Sequence, residues 1–207
     1  ALERTWLDPN TSDGVLFRRL GAGAPLELDA DGRSLQGQML GIPSVPVGQV
    51  TRCLSTIALY SLLADDSALG RRSATATYNL CRLLEPQVDA CNAKPCPFNT
   101  HWCRIDACVG GAHLGLCYDF AARWMTDEEK SLVRRVIAKA IAGRRGYGQD
   151  GSPRVRDTSR AVQDLGILLA DLAIEGEEGF DVEVYDRSVE TVKAFLRWGI
   201  SPAGTLY

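Results

Sequence analysis

The chain has 207 residues, of which 45% are hydrophobic and 24% charged, and its formal net charge is −3. This balance is typical of a globular domain and excludes a disordered, collagen-like or coiled-coil chain. The slight negative charge argues against nucleic-acid binding, which needs a basic surface, and no apolar run reaches the roughly 18 residues that span a bilayer.

Residues 1–48 are predicted to form an irregular segment that packs on the helices. Its glycines and prolines indicate turns at 21–25 and 43–48, and its apolar residues follow no sustained period. Residues 1–10 lack a basic stretch followed by an apolar core, so the sequence indicates no signal peptide.

The helical pattern begins at Val50. Apolar spacing predicts a helix over 50–64, a break at 65–67 and a second helix over 67–85. Pro86 is expected to end that helix, because proline lacks the backbone N–H, and 86–99 is expected to be a loop.

The second half of the chain is predicted to contain four further helices. Residues 101–125 are apolar on most sides, which predicts a buried helix. Thr126 and Glu129 have the spacing of a capping box and predict a helix to about 142. A glycine-rich basic loop follows, then a helix over about 158–175. Asp181 is predicted to cap a last helix whose core face carries Tyr185, Val189, Val192 and Phe195, and which ends at Gly199.

The predicted fold class is all-α, with six helices in three antiparallel pairs and no strand. Repeated helical hairpins are typical of a toroid, a solenoid or a bundle. The absence of a strict short repeat weakens the solenoid interpretation.

The seven cysteines divide into two groups. Cys53, Cys81, Cys108 and Cys117 lie in apolar helical patterns, where a free cysteine is buried as a small hydrophobe. Cys91, Cys96, His101 and Cys103 are denser, but they lack the usual C-x2-C spacing of a zinc site. We expect no metal and no cofactor; a local Cys91–Cys96 disulfide or a zinc site are the alternatives to reduced thiols.

Residues 106–120 and 124–129 resemble the heparinase II/III-like polysaccharide lyases. Tyr118-Asp119 matches the family's "YD", and residues 126–130 match its "SPEER"; residues 165–176 resemble its next helix. The resemblance covers residues 50–207 and implies an incomplete (α/α) toroid over 49–207, truncated before its second half. It also implies a periplasmic or secreted protein that acts on a uronate-containing glycan by β-elimination.

Two departures from the family concern chemistry. Thr158-Ser159-Arg160 stands where the family has an Asn-Trp or Asn-His pair facing the substrate groove. The turn Pro202-Ala203-Gly204 stands where the family has "PDG", and Tyr207 is the candidate for the catalytic tyrosine that follows it.

Elimination from a uronate needs a group that neutralises the carboxylate, a base and an acid. His101 is the candidate base, Asn99 the carboxylate partner and Trp102 a platform for sugar stacking. The alternative is that Asn99 or Thr100 caps a helix and Trp102 is a core residue. The candidate substrate-binding residues form a basic, aromatic-bearing region: Tyr147, Arg154, Arg156 and Arg160. A solvated loop is the alternative for that region.

Three functions therefore compete. The first is a polysaccharide lyase with an acidic polysaccharide or oligosaccharide as its partner. The second is a non-catalytic helical module that binds a glycan or a protein. The third is a toroid fragment that self-associates, or needs a partner chain, because its helix faces are exposed. Neither a nucleic acid nor a membrane is expected as a partner.

Overall fold

A computed structural model of the chain describes residues 7–24, 27–29, 44–92, 113–142 and 158–198. These ranges are almost entirely helical, which confirms the all-α prediction. The helices are α1 Ser12–Gly21, α2 Val47–Leu63, α3 Ser67–Asn92, α4 His113–Ala121, α5 Asp127–Ala142, α6 Thr158–Leu172 and α7 Val182–Trp198. A 3-10 turn, Ala122–Trp124, follows α4.

The first helix corrects the prediction that residues 1–48 are irregular. Thr11 caps α1, because its Oγ1 accepts a hydrogen bond from the Gly14 N–H at 3.1 Å. Leu16, Phe17 and Leu20 are buried and pack the helix on α3. The prediction was wrong here because ten residues with three core positions are too short to establish a helical period.

Two strands of three residues also lie in this segment, where the sequence indicated none. β1, Glu27–Asp29, pairs in parallel with β2, Ser44–Pro46, and Leu28 lies opposite Val45. Three residues allow only one alternation of side chains, so the hydrophobic pattern could not reveal them.

The hairpin of α2 and α3 follows the sequence prediction closely at its turn. α2 buries Val50, Leu54, Ile57 and Ala58. The turn places Asp65 at a φ of 50°, and the Asp66 carboxylate accepts from the Leu69 N–H at 2.9 Å, which caps α3.

The far end of α3 contradicts the prediction, because the helix continues through Pro86 to Asn92. Proline costs the helix one hydrogen bond, but the next turn is fixed from outside. Val88 is buried, and the Asn92 side-chain amide donates to the Lys139 carbonyl at 2.9 Å. Tertiary contacts therefore hold a turn that local sequence would end.

The predicted capping box before α5 is confirmed. The Glu129 carboxylate accepts from the Thr126 N–H at 2.8 Å, and the Thr126 hydroxyl accepts from the Glu129 N–H at 3.3 Å. α5 ends at Ala142 as predicted. Of the helix predicted over 101–125, residues 101–112 lie outside the described residues.

The last hairpin joins α6 and α7. Asp181 caps α7 as predicted, since its Oδ1 accepts from the Val184 N–H at 3.3 Å. Val184 and Ser188 are its buried positions, and the four predicted core residues are half-buried. α6 ends three residues before its predicted end, and Gly199 lies outside the described residues.

Contacts between hairpins show how they stack. Arg71, near the start of α3, contacts Glu129 near the start of α5, and Asn92, at the end of α3, contacts Lys139 near the end of α5. The two helices therefore run parallel. Cys117 contacts the Thr51 carbonyl and Arg123 pairs with Asp65, so α2 and α4 also run parallel. The α2–α3 hairpin is therefore followed by a second hairpin in the same orientation, with α2 beside α4 and α3 beside α5.

Close packing continues from α4 to α6. A Cβ on Gly115 would lie 2.7 Å from the Ala170 Cα, so only glycine fits at this crossing. No helix in the described ranges is long and apolar enough to cross a bilayer.

Candidate functional site

The residues that the sequence put forward for catalysis and binding are largely beyond what the structure describes. The residues outside its described ranges are Asn99, His101, Trp102, Tyr147, Arg154, Arg156 and Tyr207. Arg160 lies in the first turn of α6 with Thr158 and Ser159, and the structure describes only the backbone of these three residues. Those roles stay predictions.

A polar groove of about 460 Å³ lies between α3 and α5 and is here called the α3–α5 groove. On each helix the lining residues lie three or four positions apart, except for one adjacent pair on α5, so they share one face of their helix. They are Tyr78, Arg82 and Glu85 of α3, and Glu128, Ser131, Leu132 and Arg135 of α5. Because the two helices run parallel, one face of each meets across the groove along its length.

An ion-pair network joins α3 to α5 at this groove. Arg135 Nε donates to Glu85 Oε1 at 2.7 Å, and Lys139 Nζ donates to the same oxygen at 2.9 Å. Lys139 also donates to Asp89 at 3.0 Å. These hydrogen bonds, first from Arg135 and then from Lys139, lower the pKa of Glu85 to about 2. Glu85 is therefore a permanent carboxylate that orients Arg135, and it cannot donate a proton near neutral pH.

Other lining groups keep their hydrogen-bonding capacity. Arg82 and Glu128 are exposed, and neither forms an ion pair with another residue of the described ranges. Tyr78 is half-buried and packs against the hydrophobic core, which fixes its ring at the groove. The groove thus offers a guanidinium fork, a carboxylate, an aromatic ring and the Ser131 hydroxyl to a ligand.

A second ion pair fixes the N-terminal ends of α3 and α5. Arg71 donates to both Glu129 oxygens, at 2.5 and 2.6 Å, and to the Trp124 carbonyl at 2.7 Å. These bonds, with Arg71 as the largest cause, lower the pKa of Glu129 despite its burial. The adjacent Gly70 has no side chain because a Cβ would lie 2.4 Å from the Trp124 ring. This junction joins the two helices that line the groove.

Tyr118, which carries the family resemblance, is not in this groove. Its ring is buried, and its hydroxyl donates to Glu177 at 2.8 Å, while Arg134 pairs with the same carboxylate. Burial, then the hydrogen bond with Glu177, raises the pKa of Tyr118. The residue therefore joins α4 to the α6–α7 turn as a neutral phenol.

The predicted burial of three cysteines is confirmed, and Cys108, the fourth of that group, lies outside the described residues. Cys53, Cys81 and Cys117 are free and buried, and burial raises the pKa of each thiol. The described residues contain no group of three histidine, cysteine or acidic side chains placed to hold a metal. Of the denser cluster, Cys91 lies in the last turn of α3 by its backbone, and Cys96, His101 and Cys103 lie outside the described ranges.

Sequence reasoning missed the α3–α5 groove. The spacing of Tyr78, Arg82 and Glu85 places them on one helical face, and Glu128 and Arg135 are related in the same way. That signal was available, but it is also typical of any solvated helix face. The parallel packing of α3 on α5 is what distinguishes these residues from those of an ordinary solvated helix face.

Comparisons with protein-family models, with curated proteins and with solved structures find no match to this chain.

Proposed function

We propose that the chain binds an acidic, uronate-containing oligosaccharide in the α3–α5 groove. The observation that carries this proposal is the exposed Arg82 guanidinium beside the core-packed Tyr78 ring, in a groove large enough for a small ligand. A guanidinium fork matches a carboxylate in a bidentate geometry, and an aromatic ring offers an apolar face to a sugar.

The remaining groups of the groove suit hydroxyl recognition. Glu128 accepts hydrogen bonds, and Ser131 both donates and accepts them. Arg135 is oriented by Glu85 and has N–H groups that the ion pair does not use. A ligand with one carboxylate and several hydroxyls would find a counterpart for each in these side chains.

Polysaccharide lyase activity is the second candidate, and the sequence resemblance favours it. On this hypothesis, the toroid arrangement extends the observed stacking of hairpins, and His101, Asn99 and Tyr207 supply the chemistry. The ion pairs with Arg135 and Lys139 lower the pKa of Glu85, which disfavours it as the acid of an elimination. The three residues that the sequence predicts to be catalytic lie outside the described ranges, whereas the residues that line the α3–α5 groove lie within them.

The test is a calorimetric titration with oligosaccharides of alginate, hyaluronan, heparan and chondroitin. Wild-type protein should bind at least one of them, and Arg82→Gln should weaken that binding about tenfold, the effect of losing one charge-assisted contact. Arg197→Gln, which removes the same charge from an exposed position on α7, is the control and should leave affinity unchanged.

Ultraviolet absorbance of unsaturated uronate in the same mixtures separates the two candidates. Binding without a rise in absorbance supports a binding module, and a rise that His101→Ala abolishes supports a lyase. Equal affinities of wild type and Arg82→Gln for every glycan would contradict the proposed groove.

A further inference from the structure

A second concavity, of about 200 Å³, lies between α1 and α3 and is called the α1–α3 groove. Each helix contributes three residues with the spacing i, i+1 and i+4, so both present one continuous face. The lining residues are Phe17, Arg18, Gly21, Arg71, Arg72 and Thr75. Three of the six are arginines, and this described lining includes no acidic residue.

The three guanidinium groups differ in how their charge is balanced. Arg71 is compensated by Glu129. Arg18 donates to the Pro9 carbonyl at 2.9 Å, which is a neutral acceptor. Arg72 contacts the Phe17 ring, and within the described part of the chain neither Arg18 nor Arg72 forms an ion pair. Two uncompensated positive charges therefore line one small groove.

The aromatic contact orients one of these charges. Arg72 Cζ lies 5.2 Å from the centroid of Phe17, whose side chain is almost fully buried. A cation–π contact with a fixed ring restricts the guanidinium position and leaves its N–H groups able to donate to a ligand. Thr75 adds a hydroxyl to the lining.

Size and charge together select the ligand. The groove is less than half the volume of the α3–α5 groove, and its unbalanced charge is positive. Arginine forks bind the oxygens of phosphate and sulfate groups in the same bidentate way as carboxylates. We infer that the α1–α3 groove binds a tetrahedral oxoanion, as a phosphate or sulfate group, through Arg18 and Arg72. This inference is independent of the proposed function.

The test is a calorimetric titration of the whole chain with inorganic phosphate and, separately, with inorganic sulfate. Ionic strength is held constant with chloride, because salt screens exposed charges. Saturable binding is expected for at least one of the two anions. Tighter binding of one anion assigns the site to that group, and equal binding of both supports a site for tetrahedral oxoanions in general.

Two variants locate the binding. Arg72→Gln should weaken it about tenfold, and Arg197→Gln, the matched loss of charge on α7, should not. Gly21→Gln leaves the charge unchanged and adds a side chain at a residue that lines the groove. Its Cβ would meet nothing within 4 Å, and glutamine is a better helix former than glycine, so the variant should fold and still lose binding.

Three results would overturn the inference. They are the absence of saturable binding of either anion, equal binding by wild type and Arg72→Gln, and full binding by Gly21→Gln. Circular dichroism of each variant confirms that the helices are intact, so a loss of binding cannot be a loss of fold.

Discussion

Asp171 is a buried carboxylate with one oxygen that lacks a partner among the described residues. Its side chain is fully buried at the end of α6, and one oxygen accepts from the Asp181 N–H at 3.1 Å. The other oxygen has no hydrogen-bond partner among the described residues. Burial, with the nearby charge of Asp181, raises the pKa of Asp171 to about 6.

This raised pKa predicts how stability changes with pH. The folded state holds the Asp171 proton more tightly than the unfolded state, so the contribution of Asp171 to the free energy of unfolding is greatest below about pH 4. This contribution is lost as the pH rises from about 4 through about 6. Asp171→Asn keeps the oxygen that Asp181 needs and removes the charge. We expect the difference in unfolding free energy between this variant and wild type to move in favour of the variant by about 2 kcal/mol between about pH 4 and neutral pH.

Urea denaturation at several pH values between about 4 and 8 measures this difference. The advantage of Asp171→Asn over wild type should grow as the pH rises. Asp186→Asn, which removes an exposed carboxylate on α7, should follow wild type throughout. A gap between Asp171→Asn and wild type that is constant with pH would contradict the assignment.

At the scale of elements, Glu129 links the capping box of α5 to the N-terminal end of α3. The carboxylate accepts hydrogen bonds from the Thr126 N–H and from Arg71, so its loss leaves both donors without their acceptor. We expect Glu129→Ala to lower the free energy of unfolding by about 2 kcal/mol.

Chemical denaturation of Glu129→Ala and Glu128→Ala gives a matched comparison. The two residues are neighbours in the first turn of α5, so both favour the helix dipole, but Glu128 is exposed. Glu128→Ala should cost less than half as much. Equal losses would show that the Arg71 junction adds no stability.

Local signals were sufficient for some elements and failed for others. Thr126 and Asp181 could be identified as caps because a cap needs only a few neighbouring residues. The helix through Pro86 could not be predicted, since Val88 and the contact between Asn92 and α5 hold it from a distance. α1 escaped detection because its helical period is short.

At the scale of the whole molecule, α3 is the helix that contributes to both grooves. Residues 71, 75, 78, 82 and 85 recur at intervals of three or four, so they form one stripe along the helix. α1 covers part of that stripe and α5 faces another part. The positions on α3 were visible in the sequence, but their partners were not, because the residues of α5 lie some 50 positions away along the chain.

The last hairpin bears on the proposal that the chain associates with a partner. Among the described helices α7 packs chiefly on α6. Large apolar side chains stay exposed on this hairpin: Leu165, Leu172, Val182 and Leu196. Self-association through exposed helix faces remains a prediction.

The most direct test of the central claim follows the arginine side-chain Nε–H resonances by NMR during addition of an acidic oligosaccharide. Binding in the α3–α5 groove predicts that the Arg82 and Arg135 resonances shift and saturate together, while the Arg197 resonance stays in place. Shifts confined to Arg154, Arg156 and Arg160, with Arg82 and Arg135 unmoved, would contradict the claim and place the ligand in the basic region that precedes α6.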